Sequence, residues 1–426
     1  MKRVVILCVW LFSVVAGHAQ LSLDECRRLA RENYPEIRQY DLVHQTEQYN
    51  LSNAARAWIP QLAFSAQATW QTDAPNFPKE LTGMLAQQGL EIPGLRKDQY
   101  KVALELNQTI WDGGKSVADK RIARAEAAEQ KTMTDVDLYE LEGRVDDLYF
   151  GILLLDERIA QTNLTLNLLR SNLEKVRALQ RNGVAMQSDA DVLEAELLSV
   201  GQQLIQFESS CDSYRRMLGI FIGQKVGDRK LQRPSAVQPL SGESARPELA
   251  MFAAKIDRLT AQEKMVKSSS MPRLGFFAQG YYGYPGLDYM QSMMNSDWSW
   301  NAMFGVKLSW NFGAYYTQKN NLNKLRTSRQ QVEVQRDVFL FNMNLQAAQE
   351  NGDIARLRKA IADDDRIVAL RRSVREAAES KLRNGIIDTH DLLSKITDES
   401  TASMARSMRE IELLKAIYEY KHTINR

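Results

Sequence analysis

No stretch of the sequence is long and apolar enough to cross a membrane as a helix: the longest, Val4 to Ala16, has thirteen residues, and about 20 are needed. Histidine is nearly missing. His18, His44, His390 and His422 are scattered without metal-ligand spacing, which speaks against a zinc centre. Three cysteines are too few for a disulfide framework. Cys8 falls inside the apolar stretch; Cys26 and Cys211 could pair in an oxidising compartment, and the plainer reading is two buried, unpaired thiols. An excess of one charge is missing as well. With 55 Lys and Arg against 53 Asp and Glu there is no global pull on nucleic acid or an anionic surface, and no local basic patch takes its place, so a nucleic-acid partner is excluded. An apolar content of 44% excludes intrinsic disorder.

A catalytic constellation is also missing. Gly114-Lys115-Ser116 looks like the end of a phosphate loop, but the position where such a loop needs its first glycine holds Thr109. The segment reads instead as a strand exit and helix start. The acidic run Asp363-Asp364-Asp365 points to different sides of a helix and reads as a solvated face. The expectation is therefore no enzyme, no cofactor and no resident metal.

What is present begins with an address. Lys2 and Arg3 precede the apolar stretch, and the small residues Ala16, Gly17 and Ala19 follow it, which is the layout of a secretory signal peptide over residues 1–19. No lipobox surrounds Cys8, so no lipid anchor is expected. Removing Lys2 and Arg3 leaves the mature chain formally neutral.

Proline divides the rest. All ten prolines lie between Pro35 and Pro285, with none from Gly94 to Arg233 and none after Pro285, so two stretches of about 140 residues lack the strongest helix breaker. Both carry apolar residues at spacings of three and four. Leu193, Leu197, Val200, Leu204, Phe207, Cys211, Tyr214 and Leu218 form a seam of the coiled-coil kind. Leu141, Val145, Leu148, Ile152, Leu155 and Ile159 form another, and Ile367, Leu370, Val374 and Ala377 a third.

Between the helical tracts the period changes to two. Leu62, Phe64, Ala66, Ala68 and Trp70 alternate with Gln61, Ala63, Ser65, Gln67, Thr69 and Gln71, giving a strand with one apolar and one polar face. The same pattern gives strands over 60–71, 100–111, 273–284 and 298–310, each near the 9 to 11 residues that cross a bilayer as a tilted strand. Trp58, Trp70, Trp111, Trp298, Trp300 and Trp310 all sit in or beside these strands, the distribution expected of an aromatic girdle. Leu62, Phe64, Leu104, Leu106, Phe276, Phe304, Val306 and Leu308 are the expected lipid-facing side chains.

The two halves repeat. Ile59-Pro60-Gln61-Leu62 returns as Met271-Pro272-Arg273-Leu274, Trp111-Asp112-Gly113-Gly114 as Trp310-Asn311-Phe312-Gly313, and Arg181-Asn182-Gly183 as Arg383-Asn384-Gly385. The expected organisation is a first repeat over 20–222 with a helical hairpin at 114–219, an equatorial linker over 223–246, and a second repeat over 247–426 with a hairpin at 314–423. At 1.5 Å per residue, Gly114 to Gly183 spans roughly 100 Å and Gly313 to Gly385 roughly 108 Å. The return from Gly183 to Gly219 plus the helix Pro247 to Ser268 comes to about 86 Å, and Leu21 to Ala57 plus Asp388 to Thr423 to about 110 Å, so two short helices stack beside each long one.

Taken in this order, Leu21-Ser22-Leu23-Asp24-Glu25-Cys26, Asn33-Tyr34-Pro35-Glu36-Ile37, Ile59-Pro60, Trp111-Asp112-Gly113-Gly114 and the two Asn-Gly turns make the sequence resemble the TolC family of outer-membrane channel proteins over the whole mature chain. The resemblance implies a mixed α and β fold: a homotrimer in which four strands per protomer close one twelve-stranded membrane barrel, continued by a coiled-coil helical barrel in the periplasm. Independently of family, four strands with lipid-type faces cannot close alone, because an open edge in lipid leaves backbone groups unpaired.

The resemblance implies an efflux or secretion duct, working with a periplasmic adaptor and an inner-membrane transporter, and points to the tip turns at Gly183 and Gly385. Asp189 and Asp391, each six residues beyond its glycine, correspond to acidic residues that line the periplasmic aperture in the family, where rings of carboxylates select cations. Some relatives carry a further acidic residue where this chain has Ser394. The plainer reading is that Ser188, Asp189, Asp388 and Thr389 cap the return helices. The alternative function is a soluble periplasmic coiled-coil scaffold.

Overall fold

The computed structural model describes residues 20–90, 92–236, 244–384 and 386–425. The expected signal peptide, part of the expected linker, and Gly385 lie outside the described residues. In chain order the elements are α1 (Leu23–Asn33), a 3-10 turn (Pro35–Arg38), α2 (Gln39–Arg56), β1 (Gln61–Trp70), α3 (Lys79–Gln87), β2 (Asp98–Trp111), α4 (Lys115–Arg181), α5 (Gln187–Ile222), α6 (Pro247–Ser268), β3 (Arg273–Tyr284), α7 (Tyr289–Asn295), β4 (Ser299–Ser309), α8 (Ala314–Arg383) and α9 (Thr389–Ile424).

These fall into two compact units. The first, Asp41–Lys131 with Phe252–Val334, holds all four strands. They form one antiparallel sheet in the order β1-β2-β3-β4, so β1 and β4 are its two edges. The register pairs Phe64 with Leu104, Leu104 with Gly280, and Gly280 with Ala302. A bulge between Thr109 and Trp111 shifts the end of β2 and leaves Trp111 opposite Leu274.

Each long helix starts from a side-chain cap at its strand exit. Asp112 accepts hydrogen bonds from the Gly114 N–H at 2.9 Å and the Ser116 N–H at 2.7 Å, and the Ser116 hydroxyl donates to the same carboxylate. Burial of Asp112 works against its ionisation, but these donors outweigh it and hold its pKa below the usual carboxylate range. At the start of α8 the equivalent Asn311 accepts from the Gly313 N–H at 3.1 Å.

The second unit comprises the described residues of Met1–Tyr40, Thr132–Met251 and Gln335–Arg426. Its main core is built on α4, where Leu138, Leu141, Val145, Tyr149 and Ile152 are fully or almost fully buried at helical spacing. Against them pack Leu23, Cys26 and Ala30 of α1, Cys211, Leu218 and Ile222 of α5, and Ile411 of α9. Full burial of such side chains is worth about 1.5 to 3 kcal/mol each. The segment after α5 closes this core: Leu21 bridges Leu231, and the Tyr149 hydroxyl reaches the carbonyls of Leu21 and Gln232 at 2.8 and 2.6 Å.

Three expectations differ from the structure. Leu21 to Ala57 is not one helix, because Pro35 forbids the helical conformation to Tyr34, which sits at φ −66, ψ 128 and ends α1. The α5 seam is buried at Leu193, Val200, Cys211 and Leu218, but Tyr214 is exposed. In α8, Ile367, Leu370 and Val374 are exposed in the protomer. The helices α3 and α7, within the two strand-connecting loops, had no counterpart in the sequence reading.

Candidate functional site: the sheet and the helical tip

The pleat and register together sort the sheet's side chains by face. One face carries Leu62, Phe64 and Ala66 of β1, Leu106, Leu104 and Val102 of β2, Ala278, Gly280 and Tyr282 of β3, and Phe304, Ala302 and Trp300 of β4, each directly opposite its neighbour. No charged residue interrupts these rows. Phe64, Phe304, Val306 and Leu308 are more than 60% exposed, so the chain's own core does not use this face. Leu104 is exposed as well, while Leu106 and Phe276 are half-buried.

The opposite face is polar. Gln67 lies opposite Lys101, and Glu105 opposite Gln279. The Lys101 ammonium donates to Gln279 Oε1 at 3.0 Å and lies 4.7 Å from the centre of the Tyr281 ring. Gln279 in turn donates to Glu105. This ladder joins an acid and a base through an amide. The β2 to β3 register brings Gln279 between Lys101 and Glu105.

The tryptophans sort by strand end. Trp58, Trp111 and Trp310 stand where β1 begins and where β2 and β4 end, while Trp70, Trp298 and Trp300 stand at the opposite end of the sheet. All six are exposed. A ten-residue strand such as β1 rises about 33 Å, and about 25 Å along the normal when tilted by some 40°.

At the other site, α4 ends in a turn with Gly183 in the left-handed region at φ +75. The Val184 N–H reaches back to the Leu179 carbonyl at 2.9 Å, and Ile386 reaches the Lys381 carbonyl at the same distance after α8. The turns thus close alike. They also share a core: Ala190 and Leu193 of α5 and Leu392 and Ile396 of α9 belong to one apolar cluster with Leu173 and Val176 of α4. Asp189 and Asp391, each directly before one of these residues, are therefore at the same end of this unit.

Their side chains differ in use. The Asp189 carboxylate accepts the Met186 N–H at 2.8 Å and so helps to cap α5. Asp391 is exposed, and its own N–H is taken by the Asp388 carboxylate at 2.8 Å. Asp388, and not Thr389 or Ser188, caps its helix. Nearby, Lys175 pairs with Glu379 at 3.4 Å, Arg177 with Glu194 at 2.8 Å and Arg371 with Asp398 at 2.7 Å.

Among the described residues no group of three or more His, Cys, Asp or Glu is arranged to hold a metal ion, and no helix is long and apolar enough to cross a membrane. Cys26 and Cys211 are free and buried.

The outer membrane efflux protein family matches residues 27–223. No curated protein matches the chain by sequence. Among solved structures, the outer-membrane channel OprN is similar at a TM-score of 0.69 with 14% identity, covering 94% of this chain and 89% of that one. The outer membrane protein VceC of Vibrio cholerae is similar at 0.68 and 14%, covering 94% and 95%. The MtrE outer membrane channel of Neisseria gonorrhoeae, solved in its open state, is similar at 0.66 and 14%, covering 94% and 88%.

Proposed function

We propose that this chain is the outer-membrane channel of a tripartite efflux or type I secretion system: the outer membrane efflux protein family matches residues 27–223, and over 94% of the chain the fold is like that of such channels. The observation that carries this reading is the sheet: an unbroken apolar face, tryptophans at both strand ends, and two edges, β1 and β4, that pair with no other strand among the described residues. In lipid those edges must be paired. Three copies supply twelve strands and close a barrel, with the apolar face toward lipid and Gln67, Lys101, Glu105 and Gln279 toward the lumen.

In this reading the helical unit lies in the periplasm, and the tip that carries Asp189 and Asp391 is the entrance. Three copies give six carboxylates around the opening, which favour cations and resist anions by the charged-ring mechanism. Cargo moves down its gradient through a polar lumen. Energy input and selection of cargo belong to an inner-membrane transporter, joined through a periplasmic adaptor protein. The exposed Ile367, Leu370 and Val374 of α8 are then covered by neighbouring copies. A soluble periplasmic scaffold would leave the apolar sheet face in water, against the usual limit on exposed apolar patches.

Fractionation of cells producing the full chain tests this. Recovery in the outer-membrane fraction as an SDS-resistant trimer is expected. Recovery as a soluble periplasmic species overturns the reading.

A further inference from the structure

The two loops that leave the sheet at the Trp70 and Trp300 end each contain a short helix, and each helix leaves most of its apolar side chains exposed among the described residues. α3 has nine residues and buries none, while Leu81 and Met84, three apart on one face, are exposed. α7 has seven residues and buries only Ser292, while Tyr289, Met290 and Met294 are exposed. Helices of this length are marginal in water on propensity alone, so their apolar faces call for a cover.

We infer that the apolar face of α3 packs against α7 of the next copy around the barrel, so that three such pairs form a collar at the outer rim. The inference rests on the trimeric barrel reading. Closing the barrel sets β1 of one copy beside β4 of the next, about 4.8 Å away. α7 ends three residues before β4, a tether of about 14 Å at most, and α3 begins eight residues after β1, within about 30 Å.

Within one copy the loops meet through their other halves. Leu95 and Tyr284 are buried, and the Arg96 N–H donates to the Tyr284 hydroxyl at 2.8 Å, tying the back of the first loop to the front of the second. α3, which precedes the tied end of the first loop, and α7, which follows the tied start of the second, are left over. In the closed barrel the start of the first loop of one copy adjoins the end of the second loop of the next. An outer-leaflet lipid surface is the competing cover for both helices.

The test co-produces two differently tagged full-length chains, one Met84→Cys and one Met290→Cys, and treats the purified trimer with a short bismaleimide. Leu81→Cys with Tyr289→Cys is a second pair for a different side-chain direction. The native thiols are buried, so the wild type serves as blank. A covalent product carrying both tags is expected from at least one pair. SDS-resistant trimers without any two-tag product overturn the collar and leave the barrel reading standing; so does a double variant in one chain that links only to itself. Absence of the trimer itself overturns both.

Discussion

His422 of α9 lies flat on Tyr139 of α4, ring centroids 4.2 Å apart and planes within 6°, and its carbonyl accepts the Tyr139 hydroxyl at 2.5 Å. The Arg246 guanidinium donates to the same carbonyl at 3.1 Å and lies 4.9 Å over the Tyr139 ring. Burial first, then the charges of Arg246 and Arg27, push the His422 pKa down to about 4, with Glu248 and Asp147 opposing. The imidazole is therefore neutral in the folded chain at pH 7.

A histidine whose folded pKa is depressed costs stability wherever the unfolded chain would be protonated. Its penalty is absent above about pH 6.5 and grows as the pH falls toward 4. Thermal unfolding of the detergent-solubilised trimer should therefore show a Tm that drops between pH 7 and pH 5. His422→Phe keeps an aromatic ring on Tyr139 and removes the titration, so it should flatten that drop. An unchanged drop would assign the acid sensitivity elsewhere.

Arg27 and Asp146 make the next case. The guanidinium engages both carboxylate oxygens, one at 2.7 Å, and the Asp146 side chain is only 10% exposed. Burial still pushes the Asp146 pKa up against the opposing effect of Arg27. Arg27→Met leaves a buried carboxylate without its main partner, which should cost about 3 to 5 kcal/mol at pH 7, and less at acid pH where Asp146 takes up a proton. Arg27→Met with Asp146→Leu should recover most of that loss. Denaturant midpoints of the three variants decide it, and a double variant as unstable as the single one would contradict the account.

The fold was legible where periodicity is strict. The alternation from Gln61 to Trp70 marks a strand because only one face meets an apolar medium, and the proline-free tracts mark α4 and α8 because nothing in them breaks a helix. Tyr34-Pro35 is itself a readable stop, and α1 ends there. α3 and α7 were not legible: nine and seven residues give too few turns for a period, and most of their apolar residues stay exposed. At the site, the Asn-Gly pairs marked where α4 and α8 end, but not which carboxylate caps. Asp388 is the cap of α9 and Asp189 shares the capping of α5, a difference that depends on backbone geometry around each turn and not on residue type.

The lipid-facing assignment predicts an asymmetry between two neighbouring positions on the sheet. Leu104 is exposed in the middle of the apolar face, and Gln67 lies on the polar face. Leu104→Arg should cost roughly 2 to 4 kcal/mol of barrel stability near the bilayer midplane, and Gln67→Arg should be close to neutral. Heat modifiability of the trimer in outer-membrane preparations reads the difference. Equal assembly of both variants would reverse the facing.

Both thiols should be silent in the folded protein. Cys26 has no exposure and its pKa is pushed up to about 12 by burial, with Glu25 and Asp146 adding to the effect. Burial also raises Cys211, which lies 3.3 Å from Asp156 Oδ1. A thiolate is the reactive form, so labelling by a maleimide should wait for denaturation at both positions. Fast labelling of Cys211 in the native trimer would show that the α5 seam opens.

The proposed entrance gives the sharpest separation between two roles for the same residues. Asp189 accepts the Met186 N–H and Asp391 makes no comparable cap, its N–H being served by Asp388. Asn accepts such a bond about as well as Asp, so Asp189→Asn with Asp391→Asn should leave Tm within about 0.5 kcal/mol equivalent of wild type while removing six charges from the trimer's opening. If the carboxylates act through their field, planar-bilayer recordings in a salt gradient should show a reversal potential shifted toward lower cation selectivity, and block by multivalent cations should weaken. Asp391→Asn alone should already show part of this shift, because that side chain has no capping role to lose. Identical reversal potentials for wild type and the double variant would remove the ring from the mechanism, and Asp189 would then matter only as a helix cap.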